Sequence, residues 1–404
     1  MYPATTRMLT TTIYRRGVKC LSSATTFPPG PTDTPPLQDP ALSAPPQGQR
    51  EDFRTAESNP VNHNASHIGQ FYTIPRKDVE TLFPVGMSSR WLKLIRPFQE
   101  ASLMVRKPAV EIIDHLRRTD FTNPPVKYVL YGRKGSGKTV CLNHLLHFCH
   151  NQGYLIVHVP SANAWNVNNK WDFLDSVSHE GMYDQPALST DWLKHFRSRN
   201  ENFLKQLKTS DRYEWSKREQ TEKGQPLLAV VDQGLNRPKN ATDVIGVVLK
   251  ELQQQSGSGQ YRLILAIHSV NGLFAEVTNI RKPGGYIIPV RELTMHHHFK
   301  KALKGNWTNG AIITTVDQHN SYKMPKEDFK PLYLLQKEGF EWLDPFVPVH
   351  VENYSDKEFE SCMQYYTSKN WIQFDEAKSE EGKLHLKLLS ESNPGSIERI
   401  CASI

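Results

Sequence analysis

Apolar residues fall into two patterns along this chain. Short apolar runs bounded by polar residues or glycine occupy 154–159, 262–267, 311–316 and 346–351, and another runs from Lys127 to Gly132. Runs of this length suit strands buried on both faces. Between them lie stretches of helical period. Cys141, Leu145, Phe148 and Cys149 recur at i, i+4, i+7 and i+8, which predicts a helix over 140–150. Helices are also predicted over 240–255 and 293–303, and 100–118 reads as one helix, or two joined at Pro108, packing on the sheet. Ser355 and Glu358 form a capping box that opens a helix with Phe359, Cys362, Met363 and Tyr366 on one face. Asn393 as cap and Pro394 at the first position announce a last helix, with Ile397, Ile400, Cys401 and Ile404 on one stripe. Strand and helix in alternation imply an α/β fold, a mainly parallel five-stranded sheet flanked by helices on both faces, with a small C-terminal helical lid over 354–404.

The first 70 residues lack this periodicity. Residues 1–26 carry Arg7, Arg15, Arg16 and Lys19, no acid, many Ser and Thr, and scattered rather than clustered apolar residues. A mitochondrial import sequence has this composition, because a basic amphipathic helix is drawn by the negative matrix potential. Eight prolines between Pro28 and Pro46 follow with almost no large apolar side chain, so 27–70 is expected to be a disordered linker and 71–353 the main α/β domain.

Composition narrows the class. With 38% hydrophobic and 10% aromatic residues in 404, disorder throughout is excluded. No run approaches the ~18 apolar residues of a membrane span. The net charge of +7 falls to +3 without the four leader cations, which is weak support for an RNA partner. Five cysteines without CxxC spacing indicate neither a zinc site nor a disulfide framework.

The chemistry concentrates at Gly132-Arg133-Lys134-Gly135-Ser136-Gly137-Lys138-Thr139, a GxxxxGKT loop between a strand and a helix. Its backbone N–H groups and the helix N-terminus would face phosphate oxygens, Lys138 would reach the outer phosphates, and Thr139 would ligate Mg²⁺. A second motif, an apolar strand ending in an acid that offsets the metal's charge, has two candidates. Leu227-Leu-Ala-Val-Val-Asp232 matches literally but runs on into a helical pattern. The strand ending at His268 fits the alternation better, so Asp232 is assigned to a helix end or surface loop. Asn169-Lys170-Trp171-Asp172 spells a guanine-reading NKxD motif, but too early in the chain, and is read as coincidence. His296, His297 and His298 point in three directions from one helix and are read as a solvated or RNA-facing surface. The basic and aromatic stretch 194–218 suits RNA or a solvated amphipathic helix equally.

Taken with the loop, Val105-Arg-Lys-Pro-Ala, Lys217-Arg-Glu-Gln-Thr-Glu-Lys-Gly, Asn240-Ala-Thr-Asp, Leu249-Lys-Glu-Leu, Lys337-Glu-Gly-Phe, Leu343-Asp-Pro-Phe, Glu358-Phe-Glu-Ser-Cys and Gln364-Tyr-Tyr resemble the death-associated protein 3 family of the mitochondrial small ribosomal subunit. The resemblance spans about 71–404. It implies an AAA-like P-loop NTPase fold, GTP or GDP as ligand with Mg²⁺, and residence in the mitochondrial matrix on the mitoribosome. It further implies small-subunit rRNA and ribosomal proteins as partners, large-subunit proteins across inter-subunit bridges, and a role in apoptosis. By position, residues 132–139 would cradle the phosphates. His268 stands where the family pattern has Asp, and Ser269 where active AAA-type enzymes have Glu, so slow hydrolysis or none is expected. Thr315, Asp317 and Gln318 could reach the γ-phosphate region, and Arg399 could serve as a lid arginine. The alternative is an independent P-loop switch or remodelling NTPase in cell-death signalling.

Overall fold

In the computed structural model, residues 52–83, 95, 97–167, 171–318 and 328–402 are described. The import-like leader, the proline-rich segment to 51, Asn169, Lys170 and Ile404 lie outside them.

Folding begins earlier than the sequence pattern indicates. Asn59 caps a 3-10 turn at Pro60–Asn62, and Asn64 makes a capping box on another at Ala65–His67. Phe53, 7% exposed, packs with Phe71, Phe98 and Met104 against the C-terminal helices. Of the disordered linker expected over 27–70, residues 52–70 are instead folded, because they contribute side chains to a core completed by the C-terminal segment.

Strand β1 (Phe71–Thr73) pairs antiparallel with β2 (Ser102–Met104), and α1 (Arg76–Leu82) lies between them in sequence. Helix α2 (Lys107–Arg118) follows, with Pro108 in its first turn, where a missing N–H costs no helical bond. The helix expected from residue 100 is thus corrected: Leu103 and Met104 are buried as a strand, and a short apolar run does not by itself distinguish the two.

The central sheet is wholly parallel. Its strands are β3 (Val126–Tyr131), β4 (Leu155–Val159), β9 (Leu263–Ile267), β10 (Gly310–Thr315) and β11 (Val347–His350), ordered β11-β3-β10-β9-β4. Between β4 and β9 stand two small hairpins, β5 (Leu174–Asp175) with β6 (Tyr183–Asp184) and β7 (Tyr213–Ser216) with β8 (Glu219–Thr221). Every residue of β4, β9 and β10 is buried, which explains why these strands read as unbroken apolar runs.

The period of two divides the sheet's side chains between two cores. Leu155, Val157, Leu263, Leu265 and Ile312 join one core with α5 (Pro186–Gln206), α6 (Leu227–Asn236), α7 (Ala241–Ser256) and α8 (Thr294–Ala302). Ile156, Ile264, Ala266 and Ile313 join the other with α2 and α3 (Lys138–Asn151). The short α4 (Ala162–Val167) follows β4. Asn200 closes the free edge of β4: its amide accepts from the Ile156 N–H at 3.0 Å and donates to the Ile156 carbonyl at 2.9 Å, where α5 departs from helical geometry. Asp232, assigned from the sequence to a helix end or surface loop, lies instead inside α6, because the run Leu227–Val231 is the first half of that helix, and pairs with Arg197 at 3.0 Å.

After α9 (Pro331–Leu343) and β11, the lid comprises α10 (Asp356–Ser368), α11 (Asp375–Lys378), α12 (Glu380–Ser390) and α13 (Pro394–Cys401). Both predicted caps are present: Ser355 and Glu358 make a reciprocal capping box, and Asn393 accepts from the Ser396 N–H. Among the described residues no helix is long and apolar enough to cross a membrane.

Candidate nucleotide site

The loop 132–137 turns the chain from the carboxyl end of β3 into α3. At Gly132, with φ 152°, a Cβ would lie 2.3 Å from the Val351 carbonyl oxygen, so only glycine lets the loop pass β11. Gly137 caps α3 in the left-handed region, φ 102°, and aims the first helical N–H groups into the loop.

Lys138 folds over this loop. It is 6% exposed, and its ammonium donates to the carbonyls of Gly132 at 2.8 Å and Arg133 at 3.0 Å. Burial pushes its pKa below the usual lysine value, and Asp317 opposes that shift. The Ser136 hydroxyl is buried without a hydrogen-bond partner. A mobile cation held on two carbonyls, an unsatisfied hydroxyl and a loop that any Cβ at Gly132 would obstruct fit the phosphates of a nucleotide.

His268 meets this loop from the end of β9. Its Nε2 and the Thr139 hydroxyl share a hydrogen bond of 2.7 Å, and its Nδ1 is 2.8 Å from the Ser269 hydroxyl. The sequence argument had paired these positions across 129 residues. Ser269 adopts φ 54°, its N–H donates to the Thr315 hydroxyl at 3.0 Å, and its own hydroxyl lies 3.4 Å from Asp317 Oδ2. Gln318 Oε1 accepts from the Lys134 N–H at 2.8 Å. Thr315, Asp317 and Gln318 therefore gather at the loop as expected. Asp317 adds a carboxylate to this cluster, close enough to Lys138 to oppose the fall in its pKa, while the residue that ends the β9 motif is an imidazole.

The lid reaches the same loop. The Gly395 N–H donates to the Gly135 carbonyl at 2.9 Å, and Asn393 Nδ2 donates to the Lys134 carbonyl at 3.1 Å. Arg133 pairs with Glu391 at 2.7 Å on the exposed side. Arg399, read as a possible lid arginine, bonds back to the Gly395 carbonyl and the Ser396 hydroxyl of its own helix.

Arg106 was missed. Only 3% exposed, it donates to Glu358 Oε1 at 2.7 Å, to the Ser136 carbonyl at 3.0 Å and to the Glu352 carbonyl at 2.9 Å, and it covers the Tyr354 ring. One guanidinium thus joins the phosphate loop, β11's exit and the first lid helix. Its local signals were its place before Pro108 at a helix start and its membership of the Val105-Arg-Lys-Pro-Ala run, neither of which points to the loop.

Other candidate motifs resolve differently. Asp172 accepts from the N–H groups of Ala187 and Leu188, both at 2.9 Å, and so caps α5, which agrees with reading NKxD as coincidence. The solvated-surface reading of the three histidines is corrected. His296 is fully buried on Trp165 and bonds Asn166 at 2.8 Å, with burial pushing its pKa down to about 3, and His298 is 9% exposed. Helix α8 packs against both α4 and α7, so two of its three imidazoles are covered. In 194–218, Phe196 belongs to the core, Arg199 donates to the Leu82 carbonyl, and Lys194, Arg197, Lys205 and Arg212 pair with acids, as an amphipathic helix and its hairpin would.

The strand order, the GxxxxGKT loop after β3, between β11 and β10 in the sheet, and the helical lid that contacts it define an α/β P-loop protein of AAA-like type. The family model described as "Mitochondrial ribosomal death-associated protein 3" matches residues 103–400, and the chain belongs to that family. It is 47% identical over 349 residues to small ribosomal subunit protein mS29 of Bos taurus, covering 86% of this chain and 87% of that protein. The mouse protein of the same name is 45% identical, covering 87% and 89%. That of Schizosaccharomyces pombe is 22% identical, covering 88% and 75%. Among solved structures, the ADP form of the Aeropyrum pernix ORC2 protein aligns at 11% identity with a TM-score of 0.37, covering 76% of this chain and 65% of that one.

Proposed function

We propose that this protein is a structural component of the mitochondrial small ribosomal subunit that holds GTP or GDP, with Mg²⁺, as part of its fold and hydrolyses it slowly or not at all. Membership of a mitochondrial ribosomal family supports rRNA and ribosomal proteins as partners and the mitochondrion as location. The resemblance supports the finer points: guanine as base, a position near bridges to large-subunit proteins, and a part in apoptosis.

The observation that carries the nucleotide reading is the phosphate loop tied on one side to the lid, through Gly395 and Asn393, and on the other to Arg106. A ligand bound there would be enclosed by three parts of the chain, as suits a permanent constituent. The Thr139–His268 bond supports weak turnover. A neutral imidazole does not offset Mg²⁺ as a carboxylate does, and a protonated one repels it. Ser269 supplies no carboxylate to orient water.

Sucrose-gradient fractionation of mitochondrial lysate, with and without RNase, tests the assembly. The protein is expected with the small subunit and displaced by RNase; a protein that stays at the top in both gradients is not ribosomal. Nucleotide released from the denatured purified protein is expected to be guanine, near one per chain.

A further inference from the structure

A second cluster of chemically able side chains lies away from the phosphate loop. A cavity of about 1220 Å³ opens between the β5–β6 hairpin, α7 and α8. On its wall His179, Asp243 and His298 offer ligand atoms that all lie within 4.8 Å of one another. They come from three elements: the hairpin's connection, the first turn of α7 and the middle of α8.

The packing brings them together by an identifiable device. Gly246 lies one turn beyond Asp243, and a Cβ there would fall 2.5 Å from His298 Cε1 and 2.8 Å from both ring nitrogens. The imidazole therefore lies flat on the bare backbone of α7, and any larger residue would push it off the helix. The His179 ring meets it edge-on, with centroids 5.2 Å apart. The neighbouring Ser178 hydroxyl donates to Asp243 Oδ2 at 2.7 Å, which orients the carboxylate as an outer-shell group orients a metal ligand.

The polar accounting is incomplete without a ligand. His298 Nε2 and His179 Nδ1 are both buried with no hydrogen-bond partner. Unsatisfied groups of this kind cost about 1–3 kcal/mol each, and two that converge beside one carboxylate call for a common partner. Two imidazoles and a carboxylate are the donor set of a borderline divalent ion rather than of Ca²⁺ or Mg²⁺, which take oxygen. Zn–ligand bonds of about 2.0–2.2 Å require the three donors to draw together slightly around the ion.

We propose that His179, Asp243 and His298 bind a single Zn²⁺ that ties the β5–β6 hairpin to α7 and α8, with its fourth position facing the cavity. Lys301 lines that cavity and favours an anionic ligand there. Of the three consecutive histidines only His298 takes part, so the spacing argument against a shared metal on one helix still stands.

The test uses the full chain with its nucleotide, carrying no histidine tag and stripped by chelator. Titration with Co²⁺ as spectroscopic probe, then Zn²⁺ in competition, is expected to give one saturable site with the visible bands of tetrahedral Co²⁺, and to raise Tm. His179→Ala and Asp243→Asn should each weaken binding by about tenfold or more, while His297→Ala leaves it unchanged. His179→Cys should retain the metal and add a thiolate-to-Co²⁺ charge-transfer band, a positive signal that lost folding could not produce. No saturable binding by wild type, or the same affinity and spectrum in the His179→Ala and Asp243→Asn proteins, overturns the proposal.

Discussion

At the scale of single residues, the phosphate loop sets Lys138 and His268 different tasks. In the proposed nucleotide complex Lys138 would exchange its two carbonyl partners for phosphate oxygens, so Lys138→Ala should purify with little nucleotide. A ligand that binds only the folded state stabilises it by mass action, by about 2.7 kcal/mol at a hundred times its Kd. The variant should therefore melt several degrees below nucleotide-bound wild type but close to wild type stripped of nucleotide. Equal nucleotide content in both would displace the site. His268→Asp places a carboxylate at the end of β9, on the side that meets Thr139, where it can offset Mg²⁺ directly or through its waters. Single-turnover assays should show faster, more Mg²⁺-dependent hydrolysis than wild type; brisk Mg²⁺-dependent turnover indifferent to this change would refute the argument. Both residues were legible in the sequence, because a loop motif and a strand end are local patterns. Arg106 was not, since its partners Ser136, Glu352 and Glu358 lie 30, 246 and 252 residues away.

At the scale of elements, Glu358 has two roles that sequence shows only in part. It completes the capping box on Ser355, accepting from the Ser355 N–H at 2.9 Å, and it neutralises Arg106 at 2.7 Å with both side chains almost wholly buried. Removing one member of a buried pair leaves an uncompensated charge at a cost of about 3–5 kcal/mol, whereas replacing both with apolar residues is far milder. Glu358→Ala should therefore lower urea stability more than the double variant Arg106→Met/Glu358→Leu. If the two lose stability equally, the pair is not what couples α10 to the loop. The strand β2 inside the expected helix of 100–118 shares the same lesson. Its burial is decided by β1 and by the lid side chains that cover Met104, and neither is visible in a local window.

At the scale of the whole molecule, the distribution of histidines sets the response to acid. His144 and His158 are held well below the usual imidazole pKa by burial, His147 is pushed down to about 4, chiefly by burial, and His63 is lowered for the same reason. Such groups are neutral in the folded chain while their unfolded counterparts protonate near pH ~6.5. Stability from this source is complete above about pH 6.5 and declines as pH falls toward 4, because the unfolded state then binds more protons. Each fully buried imidazole contributes on the order of 1 kcal/mol per pH unit in that window. Tm measured from pH 7.5 to 5 should fall progressively below about 6.5, and a flat profile would show that these histidines already carry protons when folded. By itself the sequence determined the alternation of strands and helices, the GxxxxGKT loop between a strand and a helix, the histidine at the end of the later strand and the caps of the lid. Each depends on residues within one turn or one strand of each other. Only the tertiary structure decided that residues 52–70 join the fold, which charge anchors the lid, and that His179, Asp243 and His298 meet, because these depend on surfaces from distant parts of the chain burying one another.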